Sequence, residues 1–146
     1  MEISSVSATD FLESPHILVV DDDMAVREVL SVLLAEEGYS CTSAPDAVTA
    51  LSLLPQGFHL VISDLKMPEH DGLWLLDRIR ASDQEIAIIM LTGYGDTESA
   101  VDCLRRGATD YLLKPPKITE LVRAIERALS KRRVALARRR YQQRLE

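Results

Sequence analysis

Six polar residues stand directly after apolar stretches, at the places where chemistry could be done. Asp21-Asp22-Asp23 follows Ile17-Leu-Val-Val20, Asp64 follows His59-Leu-Val-Ile-Ser63, Thr92 follows Ile86-Ala-Ile-Ile-Met-Leu91, and Lys114 follows Thr109-Asp-Tyr-Leu-Leu113. Carboxylates brought together repel and raise one another's pKa unless a cation joins them. Hard oxygen donors with room for water suit Mg²⁺, with Mn²⁺ as an alternative, and Mg²⁺ is commonly shared between one or two carboxylates and substrate phosphate oxygens. An ammonium and a hydroxyl beside such a group are what the charged equatorial oxygens of a phosphoryl group require. A carboxylate can itself be the nucleophile and form an acyl phosphate. The set therefore points to phosphoryl transfer onto an aspartate, and the chemistry alone leaves open which one.

These residues need elements that bring them to one edge. The four apolar runs, together with a weaker one at Tyr39–Ala44, read as five strands buried on both faces. Between them lie amphipathic stretches. Val26, Val29, Leu30, Leu33 and Leu34 recur at helical spacing and end near Gly38. A second helix opens at Pro45-Asp46 and stops at Pro55-Gln-Gly57; a third carries Leu73, Leu76, Ile79 and Arg80. A fourth, capped by Asp96 or Thr97, runs through Val101 and Leu104 to Gly107, and the last begins at about Ile118. Alternating strands and helices predict right-handed crossovers and a parallel sheet covered on both faces. In such doubly wound sheets, ligands gather outside the C-terminal ends of the strands, where all six polar residues should project.

The motifs Ile17-Leu-Val-Val-Asp-Asp-Asp23, Leu60-Val-Ile-Ser-Asp-Leu-Lys-Met-Pro68 with Asp71-Gly72, Ile89-Met-Leu-Thr-Gly93 and Asp110-Tyr-Leu-Leu-Lys-Pro115 resemble the receiver domain of two-component response regulators. The resemblance spans roughly His16 to Leu129, with the motifs in order and at ordinary spacings. It implies, by analogy with the chemotaxis receiver, a flavodoxin-like doubly wound (βα)5 fold with sheet order 2-1-3-4-5. It implies that Asp64 is the phosphoacceptor. Asp21 and Asp22 are the acidic pair, Asp22 holding Mg²⁺ directly and Asp21 directly or through water, and the backbone carbonyl of Lys66 is a further metal ligand. Thr92 would bond a phosphate oxygen, while Lys114 would pair with phosphate or, before transfer, with Asp64. Tyr111 matches the aromatic that turns with the threonine as a switch. The Lys66 side chain and Tyr94 occupy positions that tune the lifetime of the acyl phosphate, and the Lys114–Pro115 peptide is expected to be cis. The implied partner is a histidine kinase or phosphotransfer protein.

Other residues have plainer readings. Asp23 suits a helix N-cap. His16, His59 and His70 lack zinc-ligand spacing, and His59 reads as the residue that begins a strand. Trp74 reads as partial core. Cys41 and Cys103 have no CxxC spacing and fit a reduced, cytoplasmic compartment. Pro116, where a large apolar residue is common in the family, should stiffen the approach to the last helix.

Length and composition agree with one soluble domain. The chain has 146 residues, 47% hydrophobic and 27% charged, and its apolar runs fall short of the roughly 20 residues a membrane helix needs. Residues 1–14 carry Glu2, Asp10 and Glu13 with no basic start, and read as a disordered tail rather than a signal peptide. Residues 15–130 form the receiver. Residues 131–146 hold seven basic side chains against Glu146, so the rest of this chain of net charge −6 carries −12. An acidic body is a poor nucleic-acid surface, so no direct nucleic-acid binding by the receiver is expected. Val134, Leu136, Tyr141 and Leu145 prolong the apolar stripe of the last helix, and no glycine or proline interrupts Lys117–Glu146. One extended C-terminal helix, acting as a linker, and a frayed basic tail are both compatible with this pattern. A homodimer would use that helix or the face of the fourth helix, fifth strand and fifth helix, with an output domain outside this chain. Two competing functions fit the residues less well. A haloacid-dehalogenase-like phosphatase would use Asp21 and Asp23, but leaves Asp64 and the Met-Pro loop unexplained. A directly DNA-binding regulator would need a helix-turn-helix that does not follow the receiver.

Overall fold

The computed structural model describes residues 14–93 and 97–145. Five strands, β1 (His16–Val20), β2 (Ser40–Ala44), β3 (Leu60–Asp64), β4 (Ala87–Thr92) and β5 (Asp110–Leu113), pair in the order β2-β1-β3-β4-β5. All four pairings are parallel. Five helices connect and follow them: α1 (Met24–Glu36), α2 (Ala47–Leu53), α3 (Gly72–Ser82), α4 (Thr97–Arg105) and α5 (Ile118–Leu145). The doubly wound fold and the expected strand order are both present. The 1–14 tail lies almost wholly outside the described residues, as do Tyr94 and the Asp96 cap; of Thr97 only the helical backbone is described.

Strand alternation builds two cores. Leu18, Val20, Val61, Ile88 and Met90 point to the layer that contains Leu75, Leu76 and Ile79 of α3 and Cys103 of α4. Ile17, Val19, Leu60, Ile62, Ile89 and Leu91 point to the layer of α1 and α5, against Leu30, Leu34, Leu121 and Ile125. With both faces covered, the central strands can be wholly apolar, which is why they read as continuous hydrophobic runs. Polar groups are then confined to the strand ends.

Local chemistry sets where each helix begins. The Asp23 carboxylate accepts from Ala25 N at 2.9 Å, Asp46 from Thr49 N at 2.7 Å and Asp71 from Trp74 N at 2.9 Å. Each satisfies a donor that the first turn leaves free. Gly38 closes α1 at φ +95°, the left-handed conformation glycine adopts without strain. α2 ends in a 3-10 turn at Leu54–Gln56, as expected from Pro55. α5 runs unbroken for 28 residues, about 42 Å at the helical rise. The continuous-helix reading of the C-terminal segment is therefore the one observed over the described residues.

His59 begins β3's approach and ties two strands. Its N–H donates to the His16 carbonyl at 2.9 Å, and its Nδ1 accepts from His16 N at 2.9 Å. Among the described residues, no helix is long and apolar enough to cross a membrane.

Candidate functional site

Strand register carries the polar residues to one edge. Val20 pairs with Ser63, Asp64 with Leu91, and Thr92 with Leu113, so Asp21, Asp64, Thr92 and Lys114 terminate four neighbouring strands at nearly one level. The observed strands run slightly later than expected: Asp64 and Thr92 are the last residues of their strands rather than the first beyond them. Held in a ladder, they are less free than loop residues. They are also buried, with Asp21 and Thr92 each 1% exposed and Asp64 8%. Asp22 is exposed on the rim.

The charges converge on one point. Lys114 Nζ lies 2.8 Å from Asp21 Oδ2 and 3.2 Å from Asp64 Oδ2. One carboxylate oxygen from each of Asp21, Asp22 and Asp64 lies within 4.8 Å of the others. Burial, followed by the neighbouring Asp21 charge, pushes the Asp64 carboxyl above its ordinary range; Lys114 and the Lys66 backbone N–H pull it back in part. Burial lowers Lys114, but the Asp21 hydrogen bond and the charges of Asp64 and Asp21 outweigh it and hold the ammonium above its ordinary pKa. A single ammonium shared by buried carboxylates leaves negative charge uncompensated, the situation a divalent cation relieves. The donor set is all oxygen and carboxylate-rich, so the residues fit Mg²⁺.

Thr92 Oγ1 is buried and has no hydrogen-bond partner among the described residues. Folded proteins rarely leave such an atom unpaired, because its desolvation is not repaid. Its backbone is fixed: the Thr92 carbonyl accepts from Lys114 N at 2.7 Å, joining the ends of β4 and β5. The Lys114–Pro115 peptide that follows is cis, as expected. Tyr111 is half-buried against the α3–α4 core. Lys66 is exposed at the head of the β3–α3 loop.

Three supporting residues were given no role of their own by the sequence reading. Gly72 lies against β3: a Cβ there would sit 2.5 Å from the Asp64 carbonyl oxygen and 2.5 Å from Met90 Cε. The Asp71-Gly72 pair thus has a double basis, a cap for α3 and an approach only glycine allows. Arg27 donates to the Asp21 carbonyl at 2.8 Å, and buried Ser63 donates its hydroxyl to the Asp64 carbonyl at 2.9 Å. Gly72 had a motif that could have flagged it; Arg27 and Ser63 carried no distinguishing pattern.

Contacts bear out the plainer readings of Asp23 and Trp74. Asp23 caps α1, so its carboxylate does not join Asp21 as a second phosphatase carboxylate. His70 stacks on Trp74 at 3.8 Å between ring centroids, and Trp74 packs on the α3 side of the core. Burial pushes the Cys41 thiol up to about 11, so it is not a thiolate at neutral pH, and Cys103 is buried in the core.

Comparison with known proteins agrees with this geometry. The family described as response regulator receiver domain matches residues 17–126. The transcriptional regulatory protein FixJ of Bradyrhizobium diazoefficiens is 41% identical over 115 residues, covering 78% of this chain and 56% of that protein. The C4-dicarboxylate transport transcriptional regulatory protein DctD of Rhizobium meliloti is 36% identical over 127 residues, covering 86% of this chain and 28% of that protein. The chain therefore spans about half or less of the length of these relatives. Among solved structures, a receiver domain protein from Clostridium thermocellum superposes with a TM-score of 0.80 at 30% identity, covering 83% of this chain and 98% of that one. The receiver domain of NtrX from Brucella abortus gives 0.75 at 38% identity, covering 78% and 98%.

Proposed function

The chain belongs to the response-regulator receiver family, and from that premise we propose that Asp64 accepts a phosphoryl group from the phosphohistidine of a partner kinase or phosphotransfer protein. The observation that carries this reading is the meeting of Asp21, Asp22, Asp64 and Lys114 beside the unpartnered Thr92 hydroxyl.

The Asp64 carboxylate attacks phosphorus. A P–O bond forms as the P–N bond to the donor imidazole breaks, and the imidazole nitrogen takes up a proton. Mg²⁺ or Mn²⁺ held by Asp21, Asp22, Asp64 and the Lys66 carbonyl would neutralise charge on the phosphoryl oxygens. Lys114, already within reach of Asp64, exchanges carboxylate for phosphoryl oxygen. Thr92 donates its hydroxyl to another oxygen, gaining the partner it lacks. Ser63 and Arg27 hold the backbones of Asp64 and Asp21 in place throughout, so little reorganisation accompanies transfer. In this reading the domain promotes its own phosphorylation and later hydrolysis, and Lys66 and Tyr94 set the lifetime by shaping water access. A double replacement of Lys66 and Tyr94 that leaves the decay rate unchanged refutes that last assignment.

Movement of Thr92 toward the phosphoryl oxygen is followed by reorientation of the Tyr111 ring. The α4–β5–α5 face then changes shape as a population shift. That face exposes Val101, Leu104 and Leu113, and the α5 extension exposes Val134, Tyr141 and Leu145; either can pair two copies. Since FixJ and DctD are named as transcriptional regulators, control of transcription by an attached output unit in the cytoplasm is the function we carry over.

The test is incubation with acetyl phosphate and Mg²⁺, in the parent and in Asp64→Asn. One acid-stable, base-labile phosphate per chain is expected in the parent and none in the variant. Equal labelling of both overturns the assignment.

A further inference from the structure

At the opposite edge of the sheet, a cavity of about 610 Å³ opens where the ends of α3 and α4 and the start of β5 meet the middle of α5. This volume lies within the range of small-molecule sites, roughly 300–1,000 Å³. Its walls are unusually cationic: Arg80, Arg105, Arg106, Lys131 and Arg132 all line it, against the single carboxylate of Glu85.

The cations divide into two groups. Two serve the fold. Arg80 donates to the Gly107 carbonyl at 2.9 Å and the Asp83 carbonyl at 3.1 Å, while Arg106 pairs with Asp77 and Asp102. Glu85 is itself engaged by Arg139 at 3.4 Å. The other three, Arg105, Lys131 and Arg132, have no ion-pair or hydrogen-bond partner among the described residues. Arg132 is the decisive one, because its Nε is buried and unpaired. A buried guanidinium N–H without an acceptor carries its full desolvation penalty. An acceptor brought by a ligand removes that penalty, and Thr109, whose Oγ1 accepts from Ile88 N, still has its O–H to donate from the same wall.

We propose that this cavity binds a small organic diphosphate of nucleotide size. Three cations without a protein partner among the described residues, of which Arg105 and Lys131 are exposed, match the charge of a diphosphate, whose oxygens guanidinium groups engage in pairs. The cavity is larger than a diphosphate needs, and Leu104 and Ala135 offer apolar wall for the organic part. The site is separate from the phosphoacceptor edge and does not depend on Asp64.

Uridine diphosphate, inorganic pyrophosphate and uridine are the probes, titrated calorimetrically into the Asp64→Asn protein without divalent cation, so that nothing seen can come from the acidic edge. Uridine diphosphate should bind one to one, more tightly than pyrophosphate, while uridine gives no heat. Arg132→Gln and Lys131→Gln should each weaken it by about tenfold or more. Arg138→Gln removes the same charge from the same helix outside this cavity and should leave binding intact. Thermal melts identify any variant that fails to fold, and for such a variant Arg132→Lys, which keeps the charge but not the buried Nε, replaces it and should also bind more weakly. Absence of binding, equal loss in Arg138→Gln, or pyrophosphate binding as tightly as uridine diphosphate overturns the proposal.

Discussion

Replacing Thr92 with valine should make the unphosphorylated protein more stable. Threonine and valine have nearly the same shape, so packing at the end of β4 changes little. What changes is a hydroxyl that is 1% exposed as part of its residue and has no partner. Burying such a group without a hydrogen bond costs about 1–3 kcal/mol on the scale of protein substitutions. Thr92→Val removes that penalty, and the gain should be about 1–3 kcal/mol, or roughly 3 °C in Tm per kcal/mol for a chain of this length. The phosphorylated state should respond in the opposite sense. There the hydroxyl gains a charged acceptor, an interaction worth about 1.5–3 kcal/mol, which valine cannot make. Urea denaturation of both proteins, with and without acetyl phosphate and Mg²⁺, reads the two effects separately. Thr92→Ser is the control: it keeps the hydroxyl and should lose only the buried methyl, about 0.8 kcal/mol. If Thr92→Val is instead less stable than the parent before phosphorylation, the hydroxyl is paired in solution and the reasoning fails. Equal stabilisation of both proteins by the phosphoryl group would refute the second half.

Two further outcomes follow from local geometry. Gly72→Ala places a Cβ 2.5 Å from the Asp64 carbonyl oxygen, and a backbone atom cannot give way as a flexible side chain can; a loss of about 1–3 kcal/mol is expected, with slower labelling by acetyl phosphate because the displaced backbone is that of Asp64. Unchanged stability would mean that α3 can slide away from β3. Asp46 caps α2, and its hydrogen bonds from the backbone and side chain of Thr49 hold its carboxyl below the usual range. A carboxyl depressed in the folded state stabilises above its unfolded value of about 3.9 and loses that contribution as pH falls through the folded value. Asp46→Ala should therefore cost about 0.5–2 kcal/mol at pH 7, a difference that narrows below about pH 4 in denaturation curves of parent and variant; a gap that persists into strong acid would mean the loss is steric.

Much of this was legible because the sheet is buried on both faces. Apolar strands force polar residues to their ends, so Asp21, Asp64, Thr92 and Lys114 stood out at the close of each run, and the motifs assigned them in order. Strand limits were less legible. Nothing in Ser63-Asp64 or Leu91-Thr92 marks where a parallel ladder stops; register with the neighbouring strand does, through pairs such as Asp64 with Leu91 and Thr92 with Leu113. Tertiary braces were not legible at all. Arg27 reaches the Asp21 carbonyl because α1 packs beside β1, and an arginine on an amphipathic helix otherwise reads as solvated surface. The basic run after Leu129 read as a linker or tail for the same reason: its charges could be counted, but not the walls they face.

The two edges of the sheet share one physical mark. Among the described residues, two buried side-chain polar atoms lack a partner, Thr92 Oγ1 and Arg132 Nε. One lies beside the acidic cluster, the other in the cationic cavity at the far edge. A chain that caps its helices with Asp23, Asp46 and Asp71 and satisfies Ser63 internally does not leave groups unpaired for want of donors and acceptors. Each orphan also lies beside charge of a single dominant sign, negative around Thr92 and positive around Arg132, where a ligand of opposite charge would relieve the imbalance. At Thr92 the motifs resemble those of a phosphoacceptor site, and the ligand proposed there is a phosphoryl group on Asp64. At Arg132 no motif speaks, and the same reasoning from an unpaired atom and a surplus of one charge leads to the phosphate-bearing ligand proposed above.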